Sequence, residues 1–333
     1  MELTLLTSVL SILSWAISPT AVDLTSPASR FPPTLFFNQR VRNSPLDVES
    51  EKIILNLSKR GGWGRGHLRI DYMLDVYYRD ENSRLLRYQD DGTYKPDSDS
   101  LDQMPVPSNF DVGFESSKGR ICDGGDCHYL VVDDKESRLI ECFIASAAGD
   151  VFHCKGALVV WPYGAHQKYP ENLRGDVCTS ADAGGFPIAP MLFSVEEVAA
   201  GAINHAIRFI LPNERIQHRE YVRPATHGTG GPIWAKTNGV PYGARFRLKT
   251  SPTVEKKIKE LKPGARVVAV ALKEFGMILS DGGEDAFTAR SDRYSKLKWK
   301  DYLEADDLKS LLPEDFEMIE GGTRLKVGEC TRH

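Results

Sequence analysis

The sequence predicts an α+β protein with a β-rich core, sandwich or barrel-like, carrying several short helices and stabilised by disulfides. Three observations lead there. Short runs of apolar and β-branched residues recur about every ten residues between Tyr129 and Trp161, with turn residues between them. Segments with helical start and stop signals follow toward the C-terminus. There are six cysteines, an even number, and five of them lie between Cys122 and Cys178.

Leu3 to Ile17 reads LTLLTSVLSILSWAI, almost wholly apolar and uncharged. A run of this length fits the apolar centre of a signal peptide and is short for a membrane span. Glu2 stands where Lys or Arg is usual. Small residues at Ala16, Ser18, Thr20 and Ala21 put the expected cleavage near Ala21, with an uncut anchor as the competing reading. Residues 1–21 are therefore read as a signal peptide, 22–45 as an extended N-terminal segment rich in Pro, Ser and Thr, and 46–333 as one globular domain.

Asp47 to Lys59 predicts a short helix, broken by Gly61-Gly-Trp-Gly-Arg-Gly66. That glycine run lacks the Lys-Ser/Thr of a phosphate loop and reads as a flexible loop exposing Trp63. His67 to Tyr78 alternates like a strand, and the polar stretch Arg79 to Ser108 reads as loop. Strands are expected at Tyr129–Val132, Leu139–Ile144, Val151–His153 and Ala157–Trp161. Ser194 with Glu197 three positions later is a capping box, so a helix starts there and runs to about Asn204. Strands are expected at His205–Leu211, Arg245–Lys249, Met277–Ser280 and Phe316–Ile319. Helices are expected at Thr253–Leu261, Ala265–Phe275 and Leu303–Leu312.

A leader and an even cysteine count point to an oxidising compartment and to bridges. Cys122-Asp-Gly-Gly-Asp-Cys127 is a polar loop that its own cysteines can close, and Cys330 is placed to tie the C-terminal tail to the same region. A zinc site using Cys127, Cys154, His128 and His153 is the competing reading, but the C-x2-C spacing of structural zinc is absent. Asn56-Leu57-Ser58 is the one N-glycosylation sequon. The net charge of −4, with mixed signs throughout and no basic stripe, gives no sign of nucleic-acid binding.

Small residues surround Asp182 in Cys178-Thr-Ser-Ala-Asp-Ala-Gly-Gly-Phe-Pro187, which lets a ligand approach the backbone. Asp182 is thus a candidate acid or base, against the plainer reading of an Asx-turn. Glu141 sits inside the apolar run Leu139–Ile144, where it either faces solvent or is held with a raised pKa. His128 precedes a strand, His205 follows Asn204, and His227 lies in a loop. Trp63, Trp161, Tyr163, Trp234 and Tyr242 are aromatics that, if exposed, stack on sugar faces. G-x-S-x-G, H-E-x-x-H and a Walker loop are all missing, which argues against an α/β-hydrolase, a zincin and a P-loop enzyme.

Several segments carry a resemblance. They are Thr179–Pro190, Glu197–Phe209, Arg223–His227, Gly243–Lys249 and Leu272–Gly282, with Gly125–Asp133 and Leu139–Glu141 upstream. Through them, about half of the chain resembles a group of secreted bacterial and fungal proteins that share TSADAGGFPI, EVAAGAINHAIRF and LKEFGMILSDG. The resemblance implies a secreted β-rich protein with shared positions at His128, Glu141, Asp182, His205 and His227, and implies no particular reaction. The cysteines at 127, 142 and 178 depart from the group's pattern and suggest extra bridging around the same positions.

These observations lead us to expect a secreted carbohydrate-active enzyme, a glycoside hydrolase or polysaccharide lyase, without cofactor or metal. Glu141 and Asp182 would flank the scissile bond, with His205 sharing proton transfer, and His128, His227, Arg208 and Tyr242 would hold the carbohydrate. In the lyase form, Arg208 would neutralise a uronate. No membrane contact is expected after signal removal. The alternatives are a non-catalytic glycan-binding protein and a secreted effector. Convergence of Glu141, Asp182 and His205 in one cleft is the structural test.

Overall fold

The computed structural model describes residues 26–90, 92–111, 119–229 and 238–330. The predicted signal peptide and Trp234 lie outside the described residues. In chain order the elements begin with helix α1 (Ser50–Lys59) and strands β1 (Ile70–Leu74), β2 (Val76–Tyr78), β3 (Arg84–Asp90) and β4 (Gln103–Val106). Next come β5 (Tyr129–Asp133), β6 (Arg138–Cys142), β7 (Ala145–Ala148), β8 (Val151–Cys154) and β9 (Leu158–Pro162). After α2 (Val195–Ala200) come β10 (Ile207–Leu211), β11 (Ile216–Tyr221), β12 (Val240–Tyr242) and β13 (Arg245–Leu248). The chain continues with α3 (Pro252–Glu260), α4 (Pro263–Glu274), β14 (Met277–Gly282), β15 (Phe287–Arg290), β16 (Phe316–Met318) and β17 (Leu325–Lys326).

The fold is therefore α+β and β-rich, with its strands distributed over four sheets. The largest has the order β1-β15-β10-β14-β13-β16. Two four-stranded sheets run β2-β5-β6-β9 and β4-β3-β8-β7, and a three-stranded one runs β12-β11-β17. One apolar cluster joins the large sheet, the helices and one face of the β5–β6–β9 sheet. A second, around Tyr77, Tyr129 and Phe152, fills the space between the two four-stranded sheets. No helix among the described residues is long and apolar enough to cross a membrane.

All six cysteines are bridged, as Cys122–Cys127, Cys142–Cys154 and Cys178–Cys330. The first closes the polar loop, the second links β6 to β8, and the third fastens the C-terminal tail. Cys127 and Cys154 are thereby committed to sulfur.

Where local signals were strong, the elements form as expected. Ser194 accepts the N–H of Glu197 and the Glu197 carboxylate accepts the N–H of Ser194, so α2 starts as expected, but Gly201 at φ 82° ends it at Ala200 and not near Asn204. Elsewhere the fold differs. Trp63 is buried, because Phe209, Phe246 and Phe316 meet its ring edge-to-face from three strands. The stretch from Arg79 to Ser108, expected as loop, contains β3 and β4, which pair along the whole of β4, and β3 finds its other partner in β8, far along the chain. His67–Tyr78 divides at Asp75 into β1 and β2, which belong to different sheets. No helix forms at Leu303–Leu312. There the Asp307 carboxylate accepts the N–H of Glu304, a local bond that competes with a helical turn.

Residues 26–45, expected to be extended, carry two 3-10 turns and pack Phe31, Leu35 and Phe37 into the main core. Two arginines of β13 hold this segment. Arg245 donates to the carbonyls of Phe36 and Gln39 as well as to Phe275, and Arg247 donates to those of Val41 and Ser44. The carbonyls satisfy an Arg245 guanidinium that burial would otherwise penalise.

Candidate functional site

The site is built on the middle of the large sheet. Arg208 points from β10, and Asp281 and Thr288 come from the neighbouring strands β14 and β15. The register between β10 and β14 advances by one residue between Phe209–Leu279 and Ile210–Asp281. Ser280 is the extra residue of this bulge. Without it, side-chain alternation would put Ser280, not Asp281, on the Arg208 face. The Ser280 carbonyl, displaced from the regular ladder, accepts the N–H of Gly184 at 2.7 Å.

That contact pins the loop carrying Asp182. Cys178 starts the loop and is bridged to Cys330. The Thr179 N–H donates to Asp97, and Ser180 Oγ donates to the Phe186 carbonyl. Thr226 Oγ1 donates to the Cys178 carbonyl. Gly185 sits at φ 83°, and a Cβ there would fall 1.9 Å from Thr226 Oγ1, so glycine is required.

Asp182 is fully buried and accepts from Arg208 Nη2 at 2.9 Å and from Nε at 3.2 Å. The same Nη2 reaches Asp281 Oδ2 at 3.2 Å, and Nη1 donates to Thr288 Oγ1 at 3.0 Å. One guanidinium thus bridges a buried carboxylate and a partly exposed one. Burial raises the Asp182 carboxyl above the usual range, and the Arg208 charge opposes the rise. His128 lies close enough for its charge to favour the Asp182 anion. Burial pushes the Tyr242 hydroxyl well up, and the Asp281 and Asp182 charges add to that rise.

His227 is half-buried and is held against the loop that carries Asp182. Its Nδ1 lies 3.1 Å from the Ala183 carbonyl, which only accepts, so Nδ1 carries the proton and Nε2 is the basic nitrogen. Burial lowers its pKa, favouring the neutral ring. The arrangement gives a neutral imidazole, oriented by the loop that carries Asp182.

Glu141 is buried rather than solvent-facing. It accepts the N–H of Ile188 with both oxygens, the N–H of Ala189 at 2.8 Å, and Trp161 Nε1 at 3.1 Å. Burial pushes its pKa up to about 7, against the pull of these donors, and the Asp182 charge contributes to the rise. The structure thus brings Glu141 within electrostatic reach of Asp182. The Glu141 side chain, however, holds the far end of the Asp182 loop.

His205 does not join them. Its Nε2 faces Glu197 Oε1 at 3.1 Å and its Nδ1 faces the Ala206 carbonyl at 2.9 Å. With an acceptor on each nitrogen the ring is an imidazolium in a buried ion pair, and neither nitrogen is left for a substrate. Trp161 and Tyr242 are buried as well, so stacking of sugars on them, expected from sequence, is not what the fold provides. The residues passed over in the sequence are Asp281 and Thr288, and Glu197 is read there only as a helix cap and not as the partner of His205. Asp281 lies inside the shared LKEFGMILSDG segment, which was the one signal pointing to it.

No protein family, no curated protein and no solved structure matches this chain.

Proposed function

We propose that this protein is a secreted carbohydrate-active enzyme, a glycoside hydrolase or polysaccharide lyase, whose reactive groups surround Arg208. The supporting observation is the pairing of buried Asp182 with partly exposed Asp281 on one guanidinium, together with a His227 that the carbonyl of Ala183, next to Asp182, orients. Carboxylates in unlike environments differ in proton affinity, which is what acid–base catalysis needs. In this reading Asp281 and His227 meet the substrate, and Asp182, Arg208 and Tyr242 set their charge. Glu141 becomes a support and His205 a structural ion pair. Three disulfides fit an oxidising compartment. Membership of the secreted bacterial and fungal group is part of the same proposal, since the segments shared with it carry Asp182, Arg208, His227 and Asp281.

The test is a broad polysaccharide panel, with hydrolysis read as new reducing ends and elimination as ultraviolet absorbance of unsaturated sugars. Asp281→Asn and His227→Ala are expected to lose most turnover, with Lys52→Ala unchanged. Full retention in both would refute the assignment. A second reading is favoured by the burial of Asp182 and Arg208: the ion pair braces the sheet, and the protein binds glycans without turnover. Glycan-array binding with no product from any bound ligand would select it.

A further inference from the structure

A cavity of about 340 Å³ lies between the N-terminal segment 26–45, α2 and the end of α4. None of its lining residues belongs to the Arg208 group. Its wall is mainly apolar: Ala28, Phe31 and Phe275, all buried, line it together with Ala200 and Ala202. Two buried polar side chains join them, Ser26 and Glu197. Ser26 Oγ has no hydrogen-bond partner among the described residues. Its residue is nonetheless fixed, since the Ser26 carbonyl accepts both the N–H and the hydroxyl of Ser29. An apolar cavity with a few fixed polar groups is the usual form of a small-molecule site, and such sites start at about 300 Å³, so this one suits a small ligand of about one ring.

The polar groups define the chemistry of the ligand. Glu197 Oε2 accepts two hydrogen bonds, from the N–H and the hydroxyl of Ser194, but Oε1 accepts only one, from His205 Nε2. A carboxylate oxygen has room for two, so Oε1 can take a further donor. The Ser26 hydroxyl both donates and accepts. A ligand hydroxyl offers a donor for the one and an acceptor for the other. The charges select a neutral molecule. Glu197 is already balanced by His205, so a cationic ligand beside it would stay unpaired, and an anion would face the Glu197 carboxylate. Arg40 is the remaining ionised residue of the lining. Its guanidinium stands 5.0 Å from the centroid of the Phe275 ring and pairs with Glu274, which it shares with Arg42. The Arg40 side chain is 63% exposed, so water screens the excess charge of that group.

We propose that this cavity binds a small neutral alcohol, its apolar ring against Phe31 and Phe275 and its hydroxyl toward Glu197 Oε1 and Ser26 Oγ. The inference goes beyond the enzymatic reading and does not depend on it. Four probes share one ring and differ in one group: benzyl alcohol, toluene, benzoate and benzylammonium. Ligand-observed NMR titration of the full chain is expected to show saturable binding of benzyl alcohol, at least about fivefold tighter than toluene, which leaves the polar groups unmet. Benzoate and benzylammonium are expected to bind at least about tenfold more weakly than the alcohol, because each buries an uncompensated charge. Ser26→Ala is expected to weaken the alcohol about threefold and leave toluene unchanged. Ala202→Phe fills the cavity and is expected to abolish binding of both. Ala200→Phe, at the exposed end of α2, is a second filling variant, and melting temperatures verify that each variant folds. Absence of saturable binding overturns the proposal. So does a charged probe or toluene binding as tightly as the alcohol, an unchanged alcohol affinity in Ser26→Ala, or unchanged binding in a folded filling variant.

Discussion

Both carboxylate oxygens of Glu141 accept the backbone N–H of Ile188, at 2.9 and 3.0 Å, across 47 positions of sequence. A strand side chain thereby fixes the exit of the loop that carries Asp182. The other end of that loop is fixed by the Cys178–Cys330 bridge, so the loop is restrained at both sides of its carboxylate.

Removing the Glu141 acceptor leaves three buried donors, Ile188 N–H, Ala189 N–H and Trp161 Nε1, without partners. Glu141→Leu is expected to cost about 3–5 kcal/mol in urea unfolding. A cost under about 1 kcal/mol would show that water or another group replaces the carboxylate.

Glu141 also sets a pH dependence. Its pKa is raised from 4.5 to about 7 on folding, so the fold favours the neutral acid. That contribution is complete below about pH 4.5 and is lost as pH rises through about 7. Glu141→Gln, a mimic of the neutral acid, is expected to flatten the stability profile across this window, read from urea midpoints in a series of buffers.

His205 acts in a higher window. Burial works to lower its pKa, but the Glu197 carboxylate and the Ala206 carbonyl outweigh it and the net shift is upward. Its stabilisation is present below the ordinary histidine pKa, about 6.5, and is lost as pH rises through the raised value. Melting temperatures of the wild type are expected to fall on that alkaline side more steeply than those of His205→Gln. Parallel curves would exclude the charged pair.

Arg208 is buried between two carboxylates and a hydroxyl. Arg208→Met leaves Asp182 as an unpaired buried charge and is expected to cost about 3–5 kcal/mol. Arg208→Lys restores a charge without the planar fork and is expected to recover only part of that loss. Denaturant unfolding of both variants checks the order.

The Cys178–Cys330 bridge closes the longest of the three loops, with a sequence separation of 152. Cys330→Ser is expected to destabilise by about 2–5 kcal/mol, more than loss of the Cys122–Cys127 bridge, whose sequence separation is only 5. Paired melts of Cys330→Ser and a Cys122→Ser/Cys127→Ser double variant test the ranking.

By itself the sequence determined the elements whose cause is local. The capping box of Ser194 and Glu197 needs only three residues' separation. β5, β6, β8 and β9 follow from short apolar runs bounded by turns, and the closed Cys122–Cys127 loop follows from its spacing. Only the tertiary structure decided the rest, because the causes lie far apart in the chain. Trp63 is core because three strands bring phenylalanines to it. β3 exists because β8 pairs with it. Asp281 faces Arg208 because one extra residue, Ser280, shifts a strand's register, and His205 is withdrawn from the site because Glu197 and Ala206 take both its nitrogens. Periodicity records which residues tend to be buried. Which buried polar groups meet is set by sheet order and register, and no local pattern encodes either.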